Sequence, residues 1–251
     1  MRLHPRHRWD LSPAEAVALQ RELRGEVILQ PLDLGAVRLV AGVDVSVKEG
    51  VSQAAVVVVT FPGLRPVETA RAVRPTPFPY VPGLLSFREG PVLEEAFGKL
   101  DAEPDAFVFD GAGIAHPRRV GIAAHMGLWL GRPTVGCAKT WLWGRHDPVP
   151  PKRGAWAPLV DRGEVIGAAL RTRAGTKPVF ISPGQLTDVE SAVELVMRCT
   201  PRFRLPEPIR LAHSAAGAFE DQQAHQAIEP TIVTAVTVSV TAAKSRNLLG
   251  R

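Results

Sequence analysis

The chain has 251 residues, 45% hydrophobic and 22% charged, which suits one large domain with a substantial core and excludes an intrinsically disordered protein. A formal charge of +5 favours polyanionic partners without demanding them, while two cysteines, Cys137 and Cys199, exclude a disulfide framework and a CxxC zinc site. No stretch is long and apolar enough to span a membrane, and the basic start MRLHPRHRWDL lacks the apolar run of a signal peptide, so a cytoplasmic protein without membrane partners is expected.

The first element is a helix opening at Ser12-Pro13-Ala14-Glu15, with Ser12 as N-cap, Pro13 at the first helical position and Glu15 completing a capping box; Gly25 ends it. Strand-like segments follow at 37–47, 52–61 and 65–73, separated by turns containing Gly50 and Gly63, the spacing of an antiparallel meander. After the proline-rich loop PTPFPYVPG the pattern predicts a helix over 86–100, a short buried strand AFVFD, a helix over 118–130 and a strand over 133–138. Three antiparallel strands followed by alternating helix and strand make an α/β mixed sheet with parallel crossovers. Further on lie a hairpin around Asp161-Arg162-Gly163, the short strand PVFIS, and helices over 187–199 and 207–216. Residues 1–218 thus form one domain, and 219–251 read as an appended tail in which only 237–241 alternates like a strand.

Asp44 sits inside the first strand, in GVDVS, with Val43 and Val45 facing the opposite side of the sheet. Asp110 closes AFVFD and emerges at the carboxyl end of a parallel strand, where open α/β sheets collect ligands. If the two strands are neighbours, two like charges share one site, and a divalent cation with open coordination positions is the simplest remedy. Each aspartate taken singly also fits a turn cap or a salt-bridged strand end. Glu89 fits either a catalytic acid or the second half of a Ser86-x-x-Glu89 capping box. His213 fits either an ordinary helix histidine or a group that handles protons near neutral pH.

The set of acids on the first strand, on the first crossover helix and at the end of the fourth strand, with a polar residue on a late helix, is the arrangement of ribonuclease-H-like nucleases. In AGVDVS, PFPYVPGLLSFREGP, FDGAGIAHPRRVGIA, GCAKT, ISPGQLTDVESA and EPIRLAH the sequence closely resembles the endonuclease V family over residues 37–216. The resemblance implies a ribonuclease-H-like fold with helices on both faces of the sheet. It implies Asp44, Glu89 and Asp110 as metal-binding and catalytic acids, His213 as the fourth active-site residue, and Mg²⁺, with Mn²⁺ as substitute, as the cofactor. The partner implied is nucleic acid containing inosine or other deaminated bases. Cleavage is implied at the second phosphodiester bond 3′ to the lesion, leaving 3′-hydroxyl and 5′-phosphate. A monomer is expected.

Tyr80, the chain's single tyrosine, lies between Pro79 and Pro82. It suits an aromatic lid on the sheet edge or, as the resemblance favours, a wedge filling the gap left by an extruded base. Gly83, Leu85 and Gly111 would let backbone approach that base. Lys139 in GCAKT brings a cation to the same sheet edge, near phosphate or a carboxylate, or is simply a solvated strand-end lysine. His116, with Arg118 and Arg119, suits contact with the nucleic-acid backbone at a helix start, although both arginines also fit solvated charges. Asp188 and Glu190 are explained by helix-start electrostatics. Ala112 stands where a polar residue is expected in the family. The other function classes are a non-catalytic nucleic-acid binder, against which the three acids argue, and a general or junction-resolving nuclease, against which PYVPG argues.

Overall fold

The structure, a computed structural model, describes residues 1–226. The strand-like 237–241 therefore lies outside the described residues. The chain opens with α1 (Pro13–Leu23), where Ser12 Oγ accepts from the Glu15 amide at 3.3 Å and Glu15 Oε2 accepts from the Ser12 amide at 2.7 Å, the expected capping box. Gly25 does not end α1 but falls in a 3-10 turn, Arg24–Glu26, because Arg24 stays helical and bonds back to the Gln20 carbonyl. Strands β1 (Leu39–Lys48), β2 (Val51–Thr60) and β3 (Pro66–Pro75) form the antiparallel meander. They are followed by α2 (Leu85–Gly98), β4 (Ala106–Phe109), α3 (Ile122–Leu130), β5 (Thr134–Ala138), β6 (Trp156–Asp161), β7 (Glu164–Leu170), β8 (Val179–Pro183), α4 (Val189–Arg198) and α5 (Glu207–Gln226).

All eight strands join one sheet in the order β3-β2-β1-β4-β5-β8-β7-β6. The pairs β1–β4 and β4–β5 are parallel and every other pair is antiparallel. This is the α/β, ribonuclease-H-like mixed sheet expected. Its central strands are apolar on both sides, and side-chain alternation divides them between two layers. Val40, Ala55, Val57 and Val108 pack with Val193 and Val196 of α4 and Ile209 and Ala212 of α5. Ala41, Val43, Val56, Phe107 and Phe109 pack with Leu93 and Phe97 of α2 and Met126 and Trp129 of α3 on the other face. The β6–β7 hairpin turns through Arg162 (φ 54°) and Gly163 (φ 83°), the left-handed pair that a two-residue turn requires.

Three further helices depart from expectation. The helix expected from 86 starts at Leu85 with Leu84 as N-cap, so the Ser86–Glu89 capping box does not form: Ser86 is buried within the first turn and no side chain caps the helix. The helix expected from 118 starts only at Ile122, because Arg119 takes φ 62° and Gly121 is extended. The final helix continues past 216 to Gln226, so the expected domain boundary at 218 falls within it. A lone Gly217 costs a helix only about 1 kcal/mol, and no proline follows before Gln226. Among the described residues no helix is long and apolar enough to cross a membrane.

Candidate active site

β1 and β4 are parallel neighbours, with Val43 opposite Phe109, and the Asp110 amide donates to the Val43 carbonyl at 3.0 Å. Asp44 and Asp110, one residue further on each strand, are thereby brought side by side. Gly42 lets α5 onto the same strand: a Cβ there would lie 2.1 Å from the Pro208 carbonyl carbon and oxygen, so only glycine admits the helix at this distance. From that contact the two elements advance together. Two strand residues cover about 7 Å and five helical residues about 7.5 Å, which carries His213 over Asp44. His213 Nδ1 and Asp44 Oδ2 are 2.7 Å apart.

Glu89 enters from α2 and Lys139 from the residue after β5, so Asp44, Glu89, Asp110, Lys139 and His213 line one cleft of about 330 Å³. Lys139 Nζ is 2.5 Å from Asp110 Oδ2. Lys139 is accordingly held by a carboxylate of the cleft and is not a free strand-end charge; burial opposes its ammonium, but the hydrogen bond and charge of Asp110 outweigh it and raise its pKa. Glu89 belongs to neither ion pair. Its carboxyl is pushed up to about 8, first by burial and then by the charges of Asp44 and Asp110. Burial and Asp110 also raise the Asp44 carboxyl, against the pull of His213 and Lys139.

Among the described residues no three acidic, imidazole or thiol groups form a ready-made ion cage. The donor chemistry nevertheless fits a hard divalent cation: three carboxylates, two of them with raised pKa from mutual repulsion and burial, line one open cleft with only Lys139 as an obligate positive charge. Asp44, Glu89 and Asp110 are the residues that could hold it.

A second, smaller hollow of about 130 Å³ adjoins this cleft, separated from it by the first turn of α2 and by the segment from Asp110 to Ala112. Gly83 and Leu85 line it, with Tyr80, expected as a wedge or lid, and His116, expected as a backbone contact, together with Ala112, Ile122 and Leu142. Tyr80 stands at its rim with 72% of its surface exposed, so it does not pack as a lid. Gly111 is not in the lining; a Cβ there would lie 2.6 Å from Ile122 Cγ2, and its role is to make room for that side chain.

His116 does not stand at a helix start. The Ala123 amide in the first turn of α3 already donates to the Ala112 carbonyl, and His116 is buried, its Nε2 2.9 Å from the Gly83 carbonyl and its Nδ1 accepting from the Arg118 amide at 3.2 Å. Burial pushes its pKa down to about 4, which keeps the ring neutral. The arginines are not free surface charges either. Arg119 is buried and donates to Asp161 at 2.8 Å and Glu164 at 2.9 Å, and Arg118 donates to Gln20 and Gly83. Asp188 caps α4, accepting from the Ser191 amide at 2.8 Å. Sequence reasoning missed Ile122 and Leu142 as pocket walls. The apolar run WLW straight after a strand end was the available signal for Leu142.

The endonuclease V family model matches residues 21–214. The chain belongs to the endonuclease V family. The endonuclease V of Trichormus variabilis is 49% identical over 218 residues, 86% of this chain and 99% of that protein. Among solved structures, the Bacillus subtilis endonuclease V superposes with a TM-score of 0.85 at 31% identity, covering 90% of this chain and 100% of that one. The Ciona intestinalis endonuclease V, in complex with a 24mer DNA containing an inosine followed by a ribo-adenosine, gives 0.74 at 26% identity over 84% of this chain and 98% of that one. As a member of this family the chain is a nuclease, and the matched span contains every candidate site residue from Asp44 to His213.

Proposed function

We propose that this family member is a DNA-repair endonuclease that recognises inosine and related deaminated purines in DNA and hydrolyses the second phosphodiester bond on the 3′ side, using Mg²⁺ or, in its place, Mn²⁺. The observation that carries the reading is the pairing of an acidic cleft with an adjacent apolar pocket beneath an exposed tyrosine. An extruded base in the pocket leaves its strand running past the carboxylates, and the complex of the Ciona protein with inosine-containing DNA supports that choice of ligand.

Within the cleft each residue has a chemical task. A divalent cation on Asp44, Glu89 and Asp110 would supply Lewis-acid polarisation of the scissile phosphate and charge neutralisation at the leaving oxygen. With Asp44 accepting the proton on Nδ1, His213 presents Nε2 as a base for an attacking water. Lys139 pairs with Asp110 and stands where a non-bridging phosphate oxygen gains a positive neighbour. Water adds to phosphorus as His213 takes its proton, the bond to the 3′ oxygen breaks, and that oxygen takes up a proton from solvent, giving 3′-hydroxyl and 5′-phosphate ends.

The test is incubation of the protein with matched inosine DNA, inosine RNA and unmodified strands in Mg²⁺, with products sized and end-labelled. Cleavage one nucleotide beyond the inosine's 3′ neighbour bond on the inosine DNA alone, or on inosine DNA and RNA, supports the reading. Equal cutting of unmodified strands, or none of any strand, refutes it.

A further inference from the structure

Gln20, on α1, is fully buried, yet it faces neither cleft nor core alone. Its Nε2 donates to the Gly83 carbonyl at 3.1 Å and to the Val120 carbonyl at 3.0 Å, while its Oε1 accepts from Arg118 Nε at 2.6 Å. That pattern fixes the amide's orientation, because the flipped form would set an oxygen against two carbonyls and an NH₂ against a guanidinium. The Gly83 carbonyl also accepts from Arg118 Nη2 at 2.8 Å and lies 2.9 Å from His116 Nε2. With His116 Nδ1 taken by the Arg118 amide, the neutral ring carries its proton on Nε2 and donates as well. Three donors, from α1 and from the 116–120 segment, thus converge on one carbonyl of the proline-rich loop. Gly83 has φ 80°, and a Cβ there would sit 2.7 Å from Arg118 Nη2, so the anchor point itself demands glycine.

The loop has a second anchor, where Arg88 Nη1 donates to the Phe78 carbonyl at 2.8 Å and the Phe78 ring packs with Ala16 of α1 and Phe87 of α2. Tyr80 stands between the two anchors and is itself exposed. A side chain that fills the gap left by an extruded base works only if its backbone resists being pushed back by the stack. Nothing in the loop's own sequence supplies that resistance beyond its prolines.

From this geometry we infer that Gln20 is a positioning residue for lesion recognition: it ties α1, the wall of the base pocket and the Tyr80 loop into one unit, and it is needed to extrude a base from duplex rather than to hydrolyse the phosphodiester. The inference rests on the function proposed above. A base in single-stranded nucleic acid is already free to leave its stack, so the effect of losing the clamp depends on the strandedness of the substrate.

The experiment compares Gln20→Met, which keeps length and removes the polar atoms, with the wild type on the same inosine sequence as duplex and as single strand. The duplex-to-single-strand ratio of kcat/KM is expected to fall roughly three- to tenfold, the effect of one or two buried hydrogen bonds. Arg118→Met, at a half-buried position, removes two of the same bonds and is expected to lower the ratio in the same direction if Gln20→Met fails to fold. Amide exchange on the uncleaved protein is the independent readout. The Leu84 amide, bonded to the Val81 carbonyl at 2.9 Å, should exchange faster in the variants while amides of β1 hold their protection. An unchanged ratio, or exchange that quickens equally in β1 and the loop, overturns the inference. If the wild type cuts neither inosine substrate, the proposed function fails instead, and the exchange comparison alone decides whether the clamp exists.

Discussion

Replacing Glu89 by glutamine keeps the side chain's shape and removes its charge. The carboxyl moves from an ordinary value of 4.5 to about 8 on folding, because burial and the neighbouring Asp44 and Asp110 all oppose its ionisation. Between those two values the folded protein holds a proton that the unfolded chain has released, so the cation-free protein loses stability as pH rises from about 4.5 to about 8. At about 1.36 kcal/mol per pH unit the ceiling is roughly 5 kcal/mol, and the open cleft reduces it to about 2 kcal/mol. For a chain of this size that corresponds to roughly 4–8 °C in Tm. Glu89→Gln escapes the penalty. In chelator, its Tm at pH 8.5 should exceed that of the wild type by this amount, and the two should converge near pH 5. His116 and His125, both kept neutral by burial, weaken the fold below about 6.5 in both proteins alike. Added Mg²⁺ should raise the wild-type Tm at pH 8.5 more than that of the variant, and cleavage by the variant should fall by at least two orders of magnitude, roughly the cost of removing one electrostatic stabiliser. A variant less stable than the wild type across the whole pH range would show that Glu89 is a structural support, and the argument from crowded acids would be wrong.

Tyr80→Ala should leave Tm unchanged, since the ring is exposed, while weakening binding to inosine duplex relative to unmodified duplex by about 1–3 kcal/mol, measured at fixed salt with Ca²⁺ in place of Mg²⁺; Tyr80→Phe should retain most of that preference. Equal weakening on both duplexes with a lower Tm would restore the lid reading. Gly42→Ala forces a methyl into the Pro208 backbone and should cost about 2–3 kcal/mol, seen as a Tm lower by roughly 4–10 °C with cleavage reduced through displacement of His213; a Tm within about 1 °C of wild type would contradict the close approach of α5.

What could be read from sequence was periodic or chemically unusual. Alternation in 37–61 and the apolar AFVFD placed the central strands, and charged residues inside them marked Asp44 and Asp110, because a carboxylate in such a strand has few structural uses. What escaped depended on partners far along the chain. Ser86-x-x-Glu89 has the spacing of a capping box, but the N-cap is Leu84, two residues earlier than that pattern needs, and Ser86 is buried. The HPRRVG segment looks helical, yet Arg119 is drawn into a left-handed turn by Asp161 and Glu164, more than forty residues away. His116 passed for a solvent-facing phosphate contact because nothing local reveals that Gly83 and the Arg118 amide occupy both its nitrogens. Gln20 carries no signal at all: a glutamine on an amphipathic helix is ordinary until its three partners are known.

The order in which the site's groups occur along the chain has a consequence for synthesis. All three carboxylates have been made by residue 110, but Lys139 and His213 come later, and His213 is brought to Asp44 only when α5 docks over Gly42. Because chains emerge from the amino end, a ribosome-bound fragment carries the three acids before Lys139 and His213 exist to pair with them. The cleft is therefore completed only when the last helix of the fold has docked over Gly42.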